Sequence, residues 1–336
     1  MISTSFSNFA PVIPYNHNPM KLVSHLSDAA PHSPCVLAIG NFDGLHLGHQ
    51  RILRTVAERA RKLRICPAVL TFDPHPLRVL APSQAPKLIS TLEQKMRLIE
   101  SMGIELVLIT RFDHEFAALP PEAFIQKYLV EGLRTRLLCV GSNFIFGHRQ
   151  TGTLETLQRW RHEFELEEIL PVTSRGVVVS STHVRQRINE GRVSRACRML
   201  GRWFEIEGAI AAGEGRGRNV TVPTLNLEPD NELIPSAGVY ITRTAMDSGG
   251  FVDSITNIGT RPTFNGTSQT IETFVLNTPV LPAVTRMRLQ FLKRVRDERR
   301  FDSPELLRAQ IGRDVEAAKR FFGMLQAGAD ATIHSN

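Results

Sequence analysis

Two histidines three residues apart, His46 and His49, stand in Gly40-Asn41-Phe42-Asp43-Gly44-Leu45-His46-Leu47-Gly48-His49. Their type and setting point to phosphate chemistry. An imidazole can donate a hydrogen bond to a phosphate oxygen while charge builds on it during phosphoryl or nucleotidyl transfer. Both rings can face one anion if the stretch opens a helix, because residues three apart are neighbours on a helix surface. Glycines at 40, 44 and 48 let a nucleotide approach the backbone closely. The competing arrangement has one histidine capping the helix and the other on its surface; the glycine-rich strand-to-helix setting favours the phosphate reading. A metal centre fits less well, since no third ligand stands nearby at a recognisable spacing.

The elements that must position these residues are visible on either side. Cys35-Val36-Leu37-Ala38-Ile39 is the continuous apolar run of a fully buried parallel strand. After the loop, Ile52, Leu53, Val56, Ala57 and Ala60 fall on one helical face, with Arg51, Arg54, Glu58, Arg59 and Arg61 on the other. The loop therefore lies at the carboxyl end of a strand and the amino end of a helix, where free N–H groups and the macrodipole favour phosphate. Further strands are predicted at 67–72, 105–109 and 137–140, with a helix over 91–102 and a segment from Phe112 to Leu129 that is helical in its second half. This alternation predicts an α/β domain, a doubly wound, Rossmann-like parallel sheet.

Three more segments of that half carry polar groups at strand ends. Asp73-Pro74-His75-Pro76 forces an extended turn, in which His75 is either a turn residue or a ligand contact. Gly141-Ser142-Asn143-Phe144-Ile145-Phe146-Gly147 follows the fourth strand on the side where such sheets bind ligands. Phe144 and Phe146 alternate, so at least one packs in the core. Ser180-Ser181-Thr182-His183-Val184-Arg185 supplies N-cap hydroxyls; beyond capping, the hydroxyls could hold a polyphosphate while Arg185 neutralises a leaving pyrophosphate.

From Phe204 the pattern changes to short strands bounded by Gly, Pro, Asn and Asp, with no helix before 303. That predicts a small antiparallel β-barrel and a domain boundary near 200. Gly213-Glu214-Gly215-Arg216-Gly217-Arg218 precedes Pro223-Thr224-Leu225-Asn226; it is neither a Walker A loop nor a dinucleotide fingerprint. Thr224 and Asn226 share a face if extended and offer a hydroxyl and an amide oxygen, hard donors suited to Mg²⁺ beside ATP phosphates. Glu272 lies in an alternating apolar strand and either pairs with a base such as Arg261 or opens onto substrate. Ser303 as N-cap and Pro304 at the first turn begin a terminal helix, with fraying expected from Gly328.

The bulk properties suit two soluble domains. The chain has 336 residues, 42% hydrophobic and 22% charged. Cys35, Cys66, Cys139 and Cys197 show no CxxC spacing and read as reduced core residues of a cytoplasmic protein. No apolar run reaches the ~20 residues of a membrane span. The formal net charge of +7 fits polyphosphate substrates; no nucleic-acid module signature accompanies it. Composition leaves a homo-oligomer open.

The full stretch GNFDGLHLGHQ resembles the HxGH signature of nucleotidylyltransferases, and specifically the synthetase module of the bacterial bifunctional riboflavin kinase/FAD synthetases (FMN adenylyltransferases). TFDPHP, the VGxxFxFG-like segment, SSTxxR, PTxN, Gly238-Val239-Tyr240, Asn257-Ile258-Gly259-Thr260-Arg261-Pro262 and Ile271-Glu272-Thr273-Phe274 resemble that family's other motifs in the same order, from about Met20 to Phe322. The resemblance implies a tail at residues 1–19, translation starting at Met20, a synthetase domain over 20–200, a riboflavin kinase domain over 201–327 and a frayed tail over 328–336. It implies ATP as co-substrate with Mg²⁺, riboflavin and FMN as the other small-molecule substrates, and no nucleic-acid or membrane partner.

By the same resemblance His46, His49, Arg185 and Glu272 are catalytic, Glu272 as general base. Gly40, Phe42, Asp43, Gly44, Gly48, Asn143, Ser180, Ser181, Thr182, Gly215, Gly217, Arg218, Pro223, Thr224 and Asn226 hold nucleotide or phosphate, and Thr224 and Asn226 the metal. His75, Phe144 and Arg261 contact flavin. The chain departs from the pattern at His183, where Arg is common, and at Asn277 to Pro282, where an Asp and a Tyr-Gly turn are usual. Two other readings stand beside this one: a single active module, or a non-catalytic flavin- or nucleic-acid-binding regulator.

Overall fold

The structure, a computed structural model, describes residues 19–29, 34–211, 224–247, 249–263, 266–276 and 284–333. These divide into two compact units, one drawn from residues 12–87 and 92–181, the other from residues 88–91 and 182–336.

The first unit is built on a six-stranded sheet. Its strands are β1 (Lys21–Val23), β2 (Cys35–Ile39), β3 (Cys66–Asp73), β4 (Leu106–Arg111), β5 (Thr135–Gly141) and β6 (Glu165–Ile169), in the order β1-β4-β3-β2-β5-β6 with every pairing parallel. All five residues of β2 are buried because helices cover both faces. Cys35, Leu37 and Ile39 point into one core with Leu70, Leu108 and Phe124. Val36 and Ala38 point into the other, with Leu53, Val56, Met96 and Ile99. The last two pairs come from the helices Leu47–Leu63 and Leu92–Glu100. The strand order reverses between β2 and β5, so the loops after these two strands flank the topological switch point, where open α/β sheets bind ligands.

The segment after β4 is helical in its second half, as expected, and carries a further short helix before it. It forms two short helices, His114–Ala117 and Pro121–Phe124, and a π-helix over Ile125–Gly132. Pro120 and Pro121 divide it, since proline starts helices well and continues them poorly. A small hairpin, β7 (Thr173–Ser174) with β8 (Val177–Val178), precedes the helix Ser181–Asn189.

The second unit contains a closed antiparallel barrel of β9 (Phe204–Ala211), β10 (Leu225–Pro229), β11 (Gly238–Met246), β12 (Val252–Thr263), β13 (Gly266–Val275) and β14 (Arg286–Arg296), ordered β10-β13-β12-β11-β14-β9. Strand alternation sends Tyr240, Ile258, Ile271, Leu289 and Phe291 into the buried interior. A string of fully buried hydroxyls runs through it: Thr244 to Ser254 at 2.7 Å, Ser254 to Thr242 at 2.8 Å, Thr242 to Thr256 at 2.8 Å and Thr256 to Thr273 at 2.9 Å. Outside the barrel, Ala318, Phe321 and Phe322 of the terminal helix pack on Val239, Ile241, Ile255 and Leu292. Arg296 donates through Nε (3.0 Å) and Nη2 (2.8 Å) to Oδ2 of buried Asp314 and fastens that helix to β14. The Ser303 hydroxyl accepts the Leu306 N–H at the helix start. The helix spans Pro304–Ile333 and runs through Gly328. Ala327, Ala329 and Ala331 are strong helix formers on either side of one glycine, which lowers propensity by only about 1 kcal/mol.

Candidate active sites

The first site grows from the end of β2. The Gly40 N–H bonds across to the Leu70 carbonyl of β3 at 3.1 Å, after which the chain takes left-handed φ angles at Phe42 (50°), Gly44 (73°) and Leu45 (37°) before the helix begins. Phe42 and Leu45 are each 1% exposed. Their burial in the core holds a conformation that is otherwise rare for side chains of this size. A Cβ on Gly40 would lie 3.2 Å from the Phe42 ring, so this glycine makes room for the ring to fold back. Phe42 packs its side chain in the core with Leu45, Leu53 and Val56.

His46 is the N-cap of the helix Leu47–Leu63, its Nδ1 accepting the His49 N–H at 3.3 Å. That bond requires an unprotonated Nδ1, so the neutral ring carries its hydrogen on Nε2. The two imidazoles lie flat on each other, centroids 3.6 Å apart and planes at 17°, and the Phe42 edge meets the His49 ring at 5.2 Å. Capping and ring stacking thus meet in one residue. Helix geometry leaves the N–H groups of Leu47 and Gly48 without intrahelical acceptors. A Cβ at Gly48 would meet His46 Cε1 at 3.1 Å and Nδ1 at 3.2 Å, which explains the glycine between the histidines.

Several groups fix this loop. Buried Gln50 donates through Nε2 to the Leu45 carbonyl at 2.9 Å and accepts Arg54 Nη2 at 3.1 Å. Ser181 Oγ donates to the carbonyl of buried Asp43 at 2.9 Å, both in the first unit. Ser180 immediately precedes the Ser181–Asn189 helix; Thr182, His183 and Arg185 lie in its first turn and a half, within the other compact unit. Lys95, from the helix Leu92–Glu100, reaches the Asn41 carbonyl (3.4 Å) and the buried Thr71 hydroxyl (3.3 Å).

The loop after β5 lies across the switch point. Asn143 is exposed, and Phe144 is half-buried, stacked on buried Phe146 with centroids 5.4 Å apart at 17°. Phe146 continues to Phe124 (5.6 Å), and Phe124 to Phe116 (6.0 Å) and Tyr128 (5.3 Å). Phe116 then meets Phe72 at the end of β3 (5.6 Å). This aromatic row spans the carboxyl ends of β3 and β5. His75, just beyond β3, caps a short helix by accepting the Leu77 N–H at Nδ1, 3.2 Å.

The second site lies on the barrel's outer face. β10 and β12 flank β13 so that Asn226, Glu272 and Asn257 form one cross-strand row, with Glu272 opposite both amides. Ile271, Thr273 and Val275 point inward, which leaves Glu272 on the outer face, half-buried. Thr224 is exposed, two residues before Asn226. Arg261 pairs with Ser268, four residues further along β12 from Asn257, about 13 Å at the strand rise; its side chain lies outside the described residues. Gly215, Gly217, Arg218, Pro223, residues 1–18 and the 277–282 loop also lie outside them.

Family models match both halves: an FAD synthetase model over residues 28–183 and a riboflavin kinase model over residues 200–322. The bifunctional riboflavin kinase/FMN adenylyltransferase of Escherichia coli K12 is 36% identical over 309 residues, covering 91% of this chain and 99% of the relative. The chain belongs to this bifunctional family. The enzyme of the same name from Bacillus subtilis is 33% identical, covering 87% and 93% of the two chains. A solved structure titled a macrolide-efflux protein from Streptococcus pneumoniae superposes with a TM-score of 0.81 at 25% identity, over 89% of this chain and 98% of that one. The efflux in that title is said of that protein; among the described residues here, no helix is long and apolar enough to cross a membrane.

The chain thus carries a riboflavin kinase and an FMN adenylyltransferase, both using ATP. Sequence reasoning missed three residues around the synthetase loop: Gln50, Thr71 and Lys95. Gln50 directly follows the HxGH stretch, and its burial on the helix was the available signal. Lys95 stands beside the apolar positions Met96 and Ile99 of its helix, a weak hint that the charge turns inward.

Proposed function

We propose that the synthetase reaction runs over the His46–His49 helix end and the kinase reaction over the Asn226–Glu272–Asn257 row. Both transfer from ATP, the kinase its γ-phosphoryl group to riboflavin and the synthetase its adenylyl group to FMN. The observation that carries the reading is the close stack of two histidines at a helix N-terminus beside the sheet's switch point.

In the synthetase, a phosphate oxygen of FMN attacks the α-phosphorus of ATP and pyrophosphate leaves. No covalent protein intermediate is needed, because the FMN phosphate is already a nucleophile. The N–H groups at the helix start, the Nε2–H of His46 and the ring of His49 stabilise the negative charge that builds on the α-phosphate. Gly40, Asp43, Gly44 and Gly48 shape the backbone for the nucleotide. Asn143, Ser180, Ser181 and Thr182 add polar contacts, and Arg185 offsets the charge of the leaving pyrophosphate. The isoalloxazine lies along the aromatic row, which has Phe144 at one end and His75 near the other.

In the kinase, Glu272 takes the proton of the riboflavin 5′-hydroxyl as that oxygen attacks the γ-phosphorus, and ADP leaves. The two flanking amides hold the carboxylate in register. Thr224 and Asn226 would hold Mg²⁺: a hydroxyl and an amide oxygen next to a carboxylate make a hard, all-oxygen donor set that suits this ion. When bound, the ion neutralises phosphate charge and orients the nucleotide. Gly215, Gly217, Arg218 and Pro223 complete the nucleotide site, and Arg261 the flavin site. We assign the synthetase to residues 20–200 and the kinase to residues 201–327, with the protein working in the cytoplasm on small molecules alone. Its four cysteines are free, which suits a reducing compartment.

The test is product analysis of the purified protein with riboflavin, ATP and Mg²⁺. FMN should appear first and then convert to FAD. FMN that accumulates unconverted would remove the synthetase assignment and leave the histidine pair unexplained.

A further inference from the structure

Lys95 is placed unlike a surface lysine. Its helix neighbours Gln94 and Met96 are buried, and its side chain runs to the carboxyl ends of β2 and β3. There the ammonium meets two neutral oxygens, the Asn41 carbonyl at 3.4 Å and the Thr71 hydroxyl at 3.3 Å; Thr71 Oγ1 is itself 3.4 Å from the Asn41 carbonyl. All three contacts are long for hydrogen bonds. An ammonium has three donors, so these two contacts leave one for another acceptor.

Burial lowers the Lys95 ammonium below the ordinary lysine range, and the carboxylates of Asp43 and Asp73 offset part of this through space. A cation held among neutral oxygens in a partly desolvated position is destabilising unless an anion comes to it. A second, independent feature lies in the same loop. Asn41 Oδ1 is closed to solvent and has no hydrogen-bond partner among the described residues. A loop with an under-coordinated cation and an unmatched acceptor suits a ligand that is anionic at one point and carries donors at another. A nucleoside polyphosphate has both.

We propose that Lys95 positions the Gly40–Leu45 loop for adenylyl transfer and supplies the fixed positive charge that the loop needs to hold the polyphosphate of ATP. The carbonyl of Asn41 is its handle on the loop. The charge acts on the phosphates that lie along the same strand ends, and it acts equally on the pyrophosphate product. The inference rests on the synthetase assignment, whose own failure would appear separately, as absence of FAD formation by the unmodified protein.

The test is steady-state FAD formation from FMN and ATP by the full chain, with inorganic pyrophosphate as inhibitor, in Lys95→Met, Lys95→Gln and Lys95→Arg. Loss of one charge-assisted contact raises the ATP KM and the pyrophosphate inhibition constant of Lys95→Met by about tenfold or more. The FMN KM and riboflavin phosphorylation by the barrel stay as they are, which separates this effect from misfolding. Lys95→Arg restores most of the loss, whereas Lys95→Gln, with donors but no charge, does not. Unchanged pyrophosphate inhibition in Lys95→Met, or full rescue by Lys95→Gln, overturns the proposal. Should the methionine variant fail to fold, the unmodified protein serves: acetylation of Lys95, followed by peptide mass spectrometry, slows several-fold when pyrophosphate is present, and an equal rate with and without it overturns the proposal.

Discussion

The ring of His46 lies flat against that of His49 at 3.6 Å while its Nδ1 accepts the His49 N–H. One imidazole therefore both caps the helix and stacks on its neighbour, and in the proposed reaction it also meets the charge that builds on the α-phosphate. His46→Ala removes both effects. FAD formation should fall by about 10²–10³-fold, as when one preorganised donor is lost, and the thermal midpoint should drop by the equivalent of ~1 kcal/mol for a missing N-cap. FMN formation from riboflavin should persist. Parallel chromatography of both products checks this, and equal loss of the two would argue against separate sites.

Gly48→Ala separates stability from activity. Alanine gains up to about 1 kcal/mol of helix propensity, yet its Cβ would come within 3.1 Å of the His46 ring and push it off the stack. The variant should melt close to the temperature of the parent, the propensity gain offsetting a weakened cap, and make FAD at least about tenfold more slowly. A parent-like rate would mean that the stack has no part in the reaction.

On the barrel, Glu272→Gln keeps the shape of the cross-strand row and removes the proposed base. Riboflavin phosphorylation should fall by roughly 10²–10⁴-fold, while FAD formation from supplied FMN continues. A variant that loses both activities would point to a folding defect instead.

Asp314→Ala leaves Arg296 without its carboxylate beneath the terminal helix. Removing one partner of such a buried pair costs about 3–5 kcal/mol. The urea midpoint for loss of FMN formation should fall well below that of the parent, with FAD formation from FMN lost at an unchanged urea concentration.

Burial pushes the thiols of Cys139 and Cys197 up to about 12 from the usual 9.0. Between these values the folded state keeps protons that the unfolded state has lost, so stability declines as pH rises above about 9, by ~1.4 kcal/mol per pH unit for each thiol. Below pH 9 these groups contribute no slope. Urea midpoints measured from pH 8 to 10.5 should show the decline, and the Cys139→Ala/Cys197→Ala variant should lessen it, the remainder coming from Cys35 and Cys66, whose thiols burial raises as well.

Much of this was legible in the residues themselves. Cys35–Ile39 has the unbroken apolar character of a strand buried on both faces, and the glycines and histidines after it mark the turn into a helix. What escaped depends on contacts between distant segments. Lys95 and Asn41 are 54 residues apart, and no local period reports that a lysine beside Met96 turns toward a strand end. Phe42 reads as a nucleotide contact in a motif, and the packing of its side chain in the core comes only through its left-handed backbone angle. The amides around Glu272 needed the register of three strands, which side-chain alternation narrows to a face but does not resolve to a row.

The hydroxyl string inside the barrel has a property that an apolar core lacks. Thr244, Ser254, Thr242, Thr256 and Thr273 share four links, and each hydroxyl has one hydrogen to give. Where no member accepts from both sides, all of them donate in the same sense, toward Thr244 or toward Thr273, with one hydrogen left over at the leading end. The two senses interconvert by rotating O–H bonds alone, with every heavy atom at rest. The interior of the kinase barrel is in this respect a reversible dipole, one of whose ends is the residue next to Glu272.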